Sequence, residues 1–165
     1  MDTGAVYYAK QDHAYVLKFV GAIRYTLGCA LDDFLNHLFR QRDFDNILID
    51  LRETTSIDST SLGLLAKIAN FMSAQLGKRT TIVSTNADIN QTLDSVGFYQ
   101  VFSICQDPEA QCPQAERLVP DQDVEPDRQH LGETLYEAHR LLSELNEKNR
   151  ATFHNVLEAL KPGKS

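Results

Sequence analysis

The stretch LIDLRETTSIDSTSLGLLAKIANF, Leu48 to Phe71, constrains the fold of this chain more than any other. It opens inside NILIDL (Asn46–Leu51), a short continuous apolar run of the kind expected of a strand buried on both faces. Its last part runs on as SLGLLAKIANFMSAQLGK, where Leu62, Leu65, Ala66, Ala69 and Met72 recur at three and four, and Gly77 sits where a helix would stop. A doubly covered strand that passes directly into a helix belongs to a parallel sheet with helices against its faces. Between the two lie six hydroxyl residues, Thr54, Thr55, Ser56, Ser59, Thr60 and Ser61, crowded around Asp58.

The rest of the chain extends the pattern. AVYYAKQ (Ala5–Gln11) and HAYVLKFVGAI (His13–Ile23) are rich in β-branched and aromatic residues, with Gln11-Asp12 suited to a hairpin turn. Leu27 to Arg42 places Leu27, Leu31, Phe34, Leu35, Leu38 and Phe39 at helical spacing. RTTIVST (Arg79–Thr85) predicts a strand. NADINQTLDSVG (Asn86–Gly97) predicts a short helix capped by Asn86 and ended by Gly97, and YQVFSIC (Tyr99–Cys105) a closing strand. Strands and helices in this order imply an α/β fold over residues 1–105, with a mostly parallel or mixed central sheet of about five strands and helices packed on it.

Residues 106–130 are acidic and hold four of the five prolines, the composition of a linker or long surface excursion. Residues 131–165 predict a long amphipathic helix. Leu131, Leu135, Ala138, Leu142 and Leu145 form one apolar stripe, and Phe153, Val156, Leu157 and Leu160 a second. Glu144–Lys148 and Glu147–Arg150 are spaced as surface charge pairs, and Pro162-Gly163 ends the run. Such stripes require cover: the domain itself, a second copy in a dimer, or a second partner.

Composition narrows the function. A formal net charge of −7 argues against direct binding of nucleic acid, which needs basic surface to displace counterions. No apolar run is long enough to span a bilayer and the first residues do not read as a secretion signal, so no membrane association and a cytoplasmic location are expected. Cys29, Cys105 and Cys112 are an odd number without zinc-ligand spacing, which predicts thiols, with no metal and no cofactor.

The hydroxyl-rich turn has two readings. Asp, Ser and Thr are favoured N-caps whose oxygens satisfy the first N–H groups of a helix. Alternatively, the turn is a place where charge is added and removed. A hydrolase elbow is not supported, because Gly-x-Ser-x-Gly is missing, and no glycine loop for phosphate occurs. His13, His37, His130, His139 and His154 fall on edges, exposed helix positions or the linker, so no catalytic triad and no enzyme activity are expected.

These residues carry a resemblance. The Leu48–Phe71 stretch resembles the signature of STAS domains of the anti-sigma factor antagonist type. In that family a strand leads to a turn Asp-Ser-Ser/Thr-Gly-Leu-Gly that opens a helix; here the run is Asp58-Ser59-Thr60-Ser61-Leu62-Gly63. INQTLDSVGFYQVFSI (Ile89–Ile104) is similar to the family's later helix–Gly–strand segment. The resemblance implies phosphorylation at the second hydroxyl after the aspartate, Thr60, with Ser59 and Ser61 as alternatives. It implies partner binding through Asp58, Ser59, Ser61 and Leu62. Ser61 stands where the family usually has glycine, and Arg24 lies where an acid is common. The function implied is a partner switch. The unphosphorylated chain binds an anti-sigma factor or serine/threonine protein kinase and frees a sigma factor, phosphorylation ends the binding, and a PP2C-type phosphatase resets it. A non-switching STAS scaffold or subunit of a larger signalling or transport complex is the alternative, and an enzyme or small-ligand binder the third.

Overall fold

The computed structural model describes residues 4–107, 116–118 and 128–161. Strands β1 (Ala5–Gln11) and β2 (Ala14–Ile23) form an antiparallel hairpin, in register from Ala5 opposite Val20 to Gln11 opposite Ala14. The turn is therefore Asp12-His13, one residue later than the sequence marks. Asp12 takes a left-handed φ of 57°, which aspartate tolerates better than most residues. Helix α1 (Gly28–Gln41) follows and ends at Arg42, whose φ is 50°.

Strand β3 (Asn46–Ile57) is twice as long as the apolar run that announces it. It pairs in parallel with all of β2, from Ala14 opposite Asn46 to Ile23 opposite Ile57, with two irregularities in register near Lys18 and Gly21. The strand thus continues through Thr54, Thr55 and Ser56, which are ladder residues and not part of a turn. Thr54 is buried, and its hydroxyl donates to the Phe19 carbonyl at 2.8 Å. Helix α2 (Ser59–Phe71) begins at once, runs into a wider turn over Met72–Leu76 and stops at Gly77 with φ 63°, where the sequence predicts the stop.

Strand β4 (Thr81–Val83), helix α3 (Ala87–Ser95) and strand β5 (Ser103–Cys105) complete the α/β unit. Asn86 caps α3 as expected, accepting from the Asp88 and Ile89 N–H groups. The run Tyr99–Cys105 is strand only at its end. Phe98 and Phe102 stand four apart, a helical spacing, and a tight turn over Phe98–Gln100 sends both rings into the core with centroids 4.9 Å apart.

The described strands number six, ordered β5-β4-β3-β2-β1-β6; β2 to β5 are mutually parallel, and β1 is antiparallel to both its neighbours. The sixth, β6 (Glu116–Leu118), comes from within the proline-rich segment, the rest of which lies largely outside the described residues, as do Cys112 and the Pro162-Gly163 end signal.

The C-terminal run is helical as predicted but forms two helices, α4 (Arg128–Ser143) and α5 (Glu147–Leu160). Asn146 breaks it. Its side chain accepts from the Asn149 N–H at 2.8 Å and caps α5. The break separates Glu144 from Lys148, and Glu144 pairs with Arg140 at 3.0 Å instead. Among the described residues no helix is long and apolar enough to cross a membrane.

Candidate functional site

The β3–α2 turn is organised by one carboxylate. The Asp58 N–H donates to the Ile23 carbonyl at 3.1 Å, closing the β2–β3 ladder. Its Oδ1 accepts from the Ser61 N–H at 2.9 Å, an N-cap on α2. Its Oδ2 accepts from the Tyr25 N–H at 2.6 Å. Asp58 thus holds the start of α2 and the short turn Tyr25–Leu27 before α1 together. Tyr25 itself is 47% exposed, and Arg24 beside it is also exposed.

The three hydroxyls after Asp58 occupy the first turn of α2. Thr60 is 4% exposed and Ser61 2%, whereas Ser59 is half-buried. Leu62 is buried as well. Part of this cover is α4. The Thr60 and Thr134 methyl groups both lie 3.7 Å from where a Cβ on Gly28 would stand, so the start of α1, Thr60 and α4 meet at one point. Cys29 lies there too, its Sγ 3.8 Å from the Thr134 hydroxyl.

His139, on α4, is 5% exposed and its Nε2 lies 2.8 Å from Ser59 Oγ. The Nδ1 of the same ring is 2.7 Å from the Leu135 carbonyl. A carbonyl only accepts, so Nδ1 carries the proton, and in the neutral ring Nε2 accepts from the Ser59 hydroxyl. The sequence placed His139 at an exposed helix position; it is instead a buried partner of the turn. The signal was present in its spacing, four after Leu135 and three before Leu142, which sets it on the flank of the apolar stripe.

The contact continues along α2 at one-turn intervals. Gly63 meets α4 so closely that a Cβ there would collide with the carbonyl of Ala138. Lys67 reaches the nearly buried Asp32 of α1 at 2.6 Å and Glu137 of α4 at 3.1 Å. Ser59, Gly63 and Lys67 therefore meet His139, Ala138 and Glu137, three consecutive residues. The closest of these approaches is at Gly63.

All five residues singled out from the sequence, Asp58, Ser59, Thr60, Ser61 and Leu62, are together at the head of α2. Tyr25, Gly63, Lys67 and His139 were not singled out as site residues. Among the described residues no group of His, Cys, Asp or Glu is placed to hold a metal ion.

The model of the STAS domain family matches residues 6–110. Among solved structures, an anti-sigma factor antagonist from Mycobacterium paratuberculosis is similar with a TM-score of 0.56 and 17% identity, over 66% of this chain and 90% of its own. The anti-sigma factor antagonist SpoIIAA in its unphosphorylated form is similar at 0.53 and 12% identity, over 64% and 90%. The Bacillus cell fate determinant SpoIIAA in the phosphorylated form is similar at 0.52 and 12%, over 64% and 94%. A search of curated proteins gives no match. At these identities the structural likeness is one of fold, and α4 and α5 lie beyond the residues the family model matches. Sheet, Asp58 turn and family match converge: the chain belongs to the STAS domain family.

Proposed function

We propose that the protein is an anti-sigma factor antagonist that works by phosphorylation-controlled partner switching, and is a binding protein and not an enzyme. The observation that carries this reading is the hydroxyl triplet Ser59-Thr60-Ser61 in the first turn of α2, directly after the Asp58 cap. Thr60 is the acceptor, with Ser59 and Ser61 as alternatives. Asp58, Ser59, Ser61 and Leu62 form the partner contact. The partner is an anti-sigma factor or serine/threonine protein kinase, reset is by a PP2C-type phosphatase, and the location is cytoplasmic.

The physical chemistry of the site fits this use. A phosphate adds about −1.5 to −2 charges at neutral pH, and the N-terminus of a helix welcomes an anion through its dipole and N–H groups. The modification is therefore compatible with α2 itself, while on the buried Thr60 it must displace the packing of Thr134 on α4. What changes is the interface, where a dianion beside Asp58 must be desolvated against a surface made for a neutral hydroxyl. A penalty of about 4 kcal/mol weakens binding roughly a thousandfold, sufficient for a switch.

The burial of Thr60 and Ser61 favours a second reading, a STAS subunit of a larger complex whose hydroxyls are never modified. Phosphopeptide mass spectrometry on protein from its native cells separates the two. The tryptic fragment Glu53–Lys67, ETTSIDSTSLGLLAK, holds every hydroxyl concerned. Phosphate on Thr60 that varies with growth state is the expected result. No phosphate under any condition, with partners still bound, leaves these hydroxyls a packing role in the first turn of α2 and supports the constitutive subunit.

A further inference from the structure

Phosphoryl transfer needs the acceptor oxygen in line with the donor phosphate, so a kinase must reach the hydroxyl it modifies. Thr60, 4% exposed and wedged between the start of α1 and Thr134 of α4, offers no such approach, and Ser59 is held by His139. We infer that α4 and α5 form an intramolecular cover over the head of α2, competing with the kinase and with the external partner for this face. The inference rests on the proposed switch, since it states what limits access to that site.

Four observations support a cover over a permanent layer of the core. Ser59, Gly63 and Lys67 lie along the face of α2 under α4, a stripe without a large apolar side chain. The contacts across it are small or polar: a hydroxyl on an imidazole, a glycine on a backbone carbonyl, and a lysine between two carboxylates. Leu141 and Leu142 anchor α4 to the core near its far end, where Asn149 also donates to the carbonyls of Val96 and Leu142 at 2.9 and 3.0 Å. That places the firm attachment at the α4–α5 joint and the polar part over the hydroxyls. Finally, the family match ends at residue 110, so the STAS domain is defined without either helix.

The docked helix also describes what can replace it. A partner on this face must bring a small residue to Gly63, as Ala138 does. It must offer an acceptor to the Ser59 hydroxyl, as His139 does, and a carboxylate to Lys67, as Glu137 does.

The test uses the full chain. With Cys105→Ser and Cys112→Ser in place, Thr134→Cys sets a second thiol beside the native Cys29, and oxidation then ties α4 to α1. The oxidised and reduced forms, the wild type and Ala138→Leu, which overfills the crossing, are incubated with ATP and extract of the source cells. Phosphate on the Glu53–Lys67 peptide is then measured. The oxidised form is expected to be modified on the order of tenfold or more slowly than the same protein reduced, because the accessible state is removed. Ala138→Leu is expected to be modified faster than wild type. Equal rates for oxidised and reduced protein overturn the cover.

Hydrogen exchange on the wild type reads the same motion without a kinase. Amides of α4 and of the first turn of α2 exchanging well before those of β2 and β3 support the cover, and exchange only together with the sheet overturns it. If no form takes phosphate, Ala138→Leu included, the switch reading fails, and the exchange result still decides whether α4 opens.

Discussion

Asp58 serves two N–H groups with its two carboxylate oxygens, and only one of these roles is visible along the chain. The cap on Ser61 is local and was legible as an acid before a helical run. The bond to the Tyr25 N–H joins residues 33 apart, and no spacing rule announces it. Asp58→Ala loses both, and is expected to destabilise the fold by about 1–3 kcal/mol in urea denaturation. Asp58→Asn, which keeps the Oδ1 acceptor for Ser61, should fall between alanine and wild type. The opposite end of the sheet carries a pH-sensitive contact. Lys10 donates to Asp43 at 2.7 Å, and this hydrogen bond lowers the carboxyl below its ordinary value and raises the lysine above its own. A depressed carboxyl contributes stability above its unfolded value that disappears as pH falls through the folded one. The raised lysine contributes below its unfolded value and is lost as pH rises through the folded one. NMR titration should show the Asp43 midpoint below that of an ordinary aspartate, and Lys10→Met should return it upward.

At the scale of elements, the strands and helices were readable wherever one periodicity ruled. The reading failed where two signals competed. Thr54, Thr55 and Ser56 carry turn-forming hydroxyls, yet the two threonines are β-branched strand formers, and the ten-residue β2 alongside them decided for the strand. The run from Tyr99 is rich in strand formers, but Phe98 and Phe102 fill the core by helical spacing. The C-terminal stripe continues in phase across residues 144–146, so the break was signalled only by Asn146 acting as a cap. Gly63 tests the tightest contact between elements. In an isolated helix glycine to alanine is favourable by about 1 kcal/mol. Here the new Cβ would meet the Ala138 backbone, which has no side chain to move aside. Gly63→Ala is therefore expected to lower the melting temperature, and 15N-edited NMR should show the largest shifts in α4.

For the molecule as a whole, the α/β class followed from the order of elements, and the five residues at the head of α2 were legible from one motif. What covers them was not. Periodicity states that the stripe through Leu135, Ala138 and Leu142 must be buried, but it carries no information about which surface buries it. Nor does it show that His139, on the flank of that stripe, turns toward Ser59. The small strand β6 bears on this arrangement. It fixes Glu116–Leu118 to the outer side of β1, so that only residues 119–127 join the sheet edge to α4. A helix leaving its seat on such a short connection stays at an effective concentration in the millimolar range. A competitor present at micromolar concentration must then bind the vacated face about a thousandfold more tightly than α4 does to hold it half the time. Lengthening the chain between Leu118 and Arg128 would dilute α4 around its own site without altering a single contact residue, and under the proposed switch that length sets the partner concentration needed.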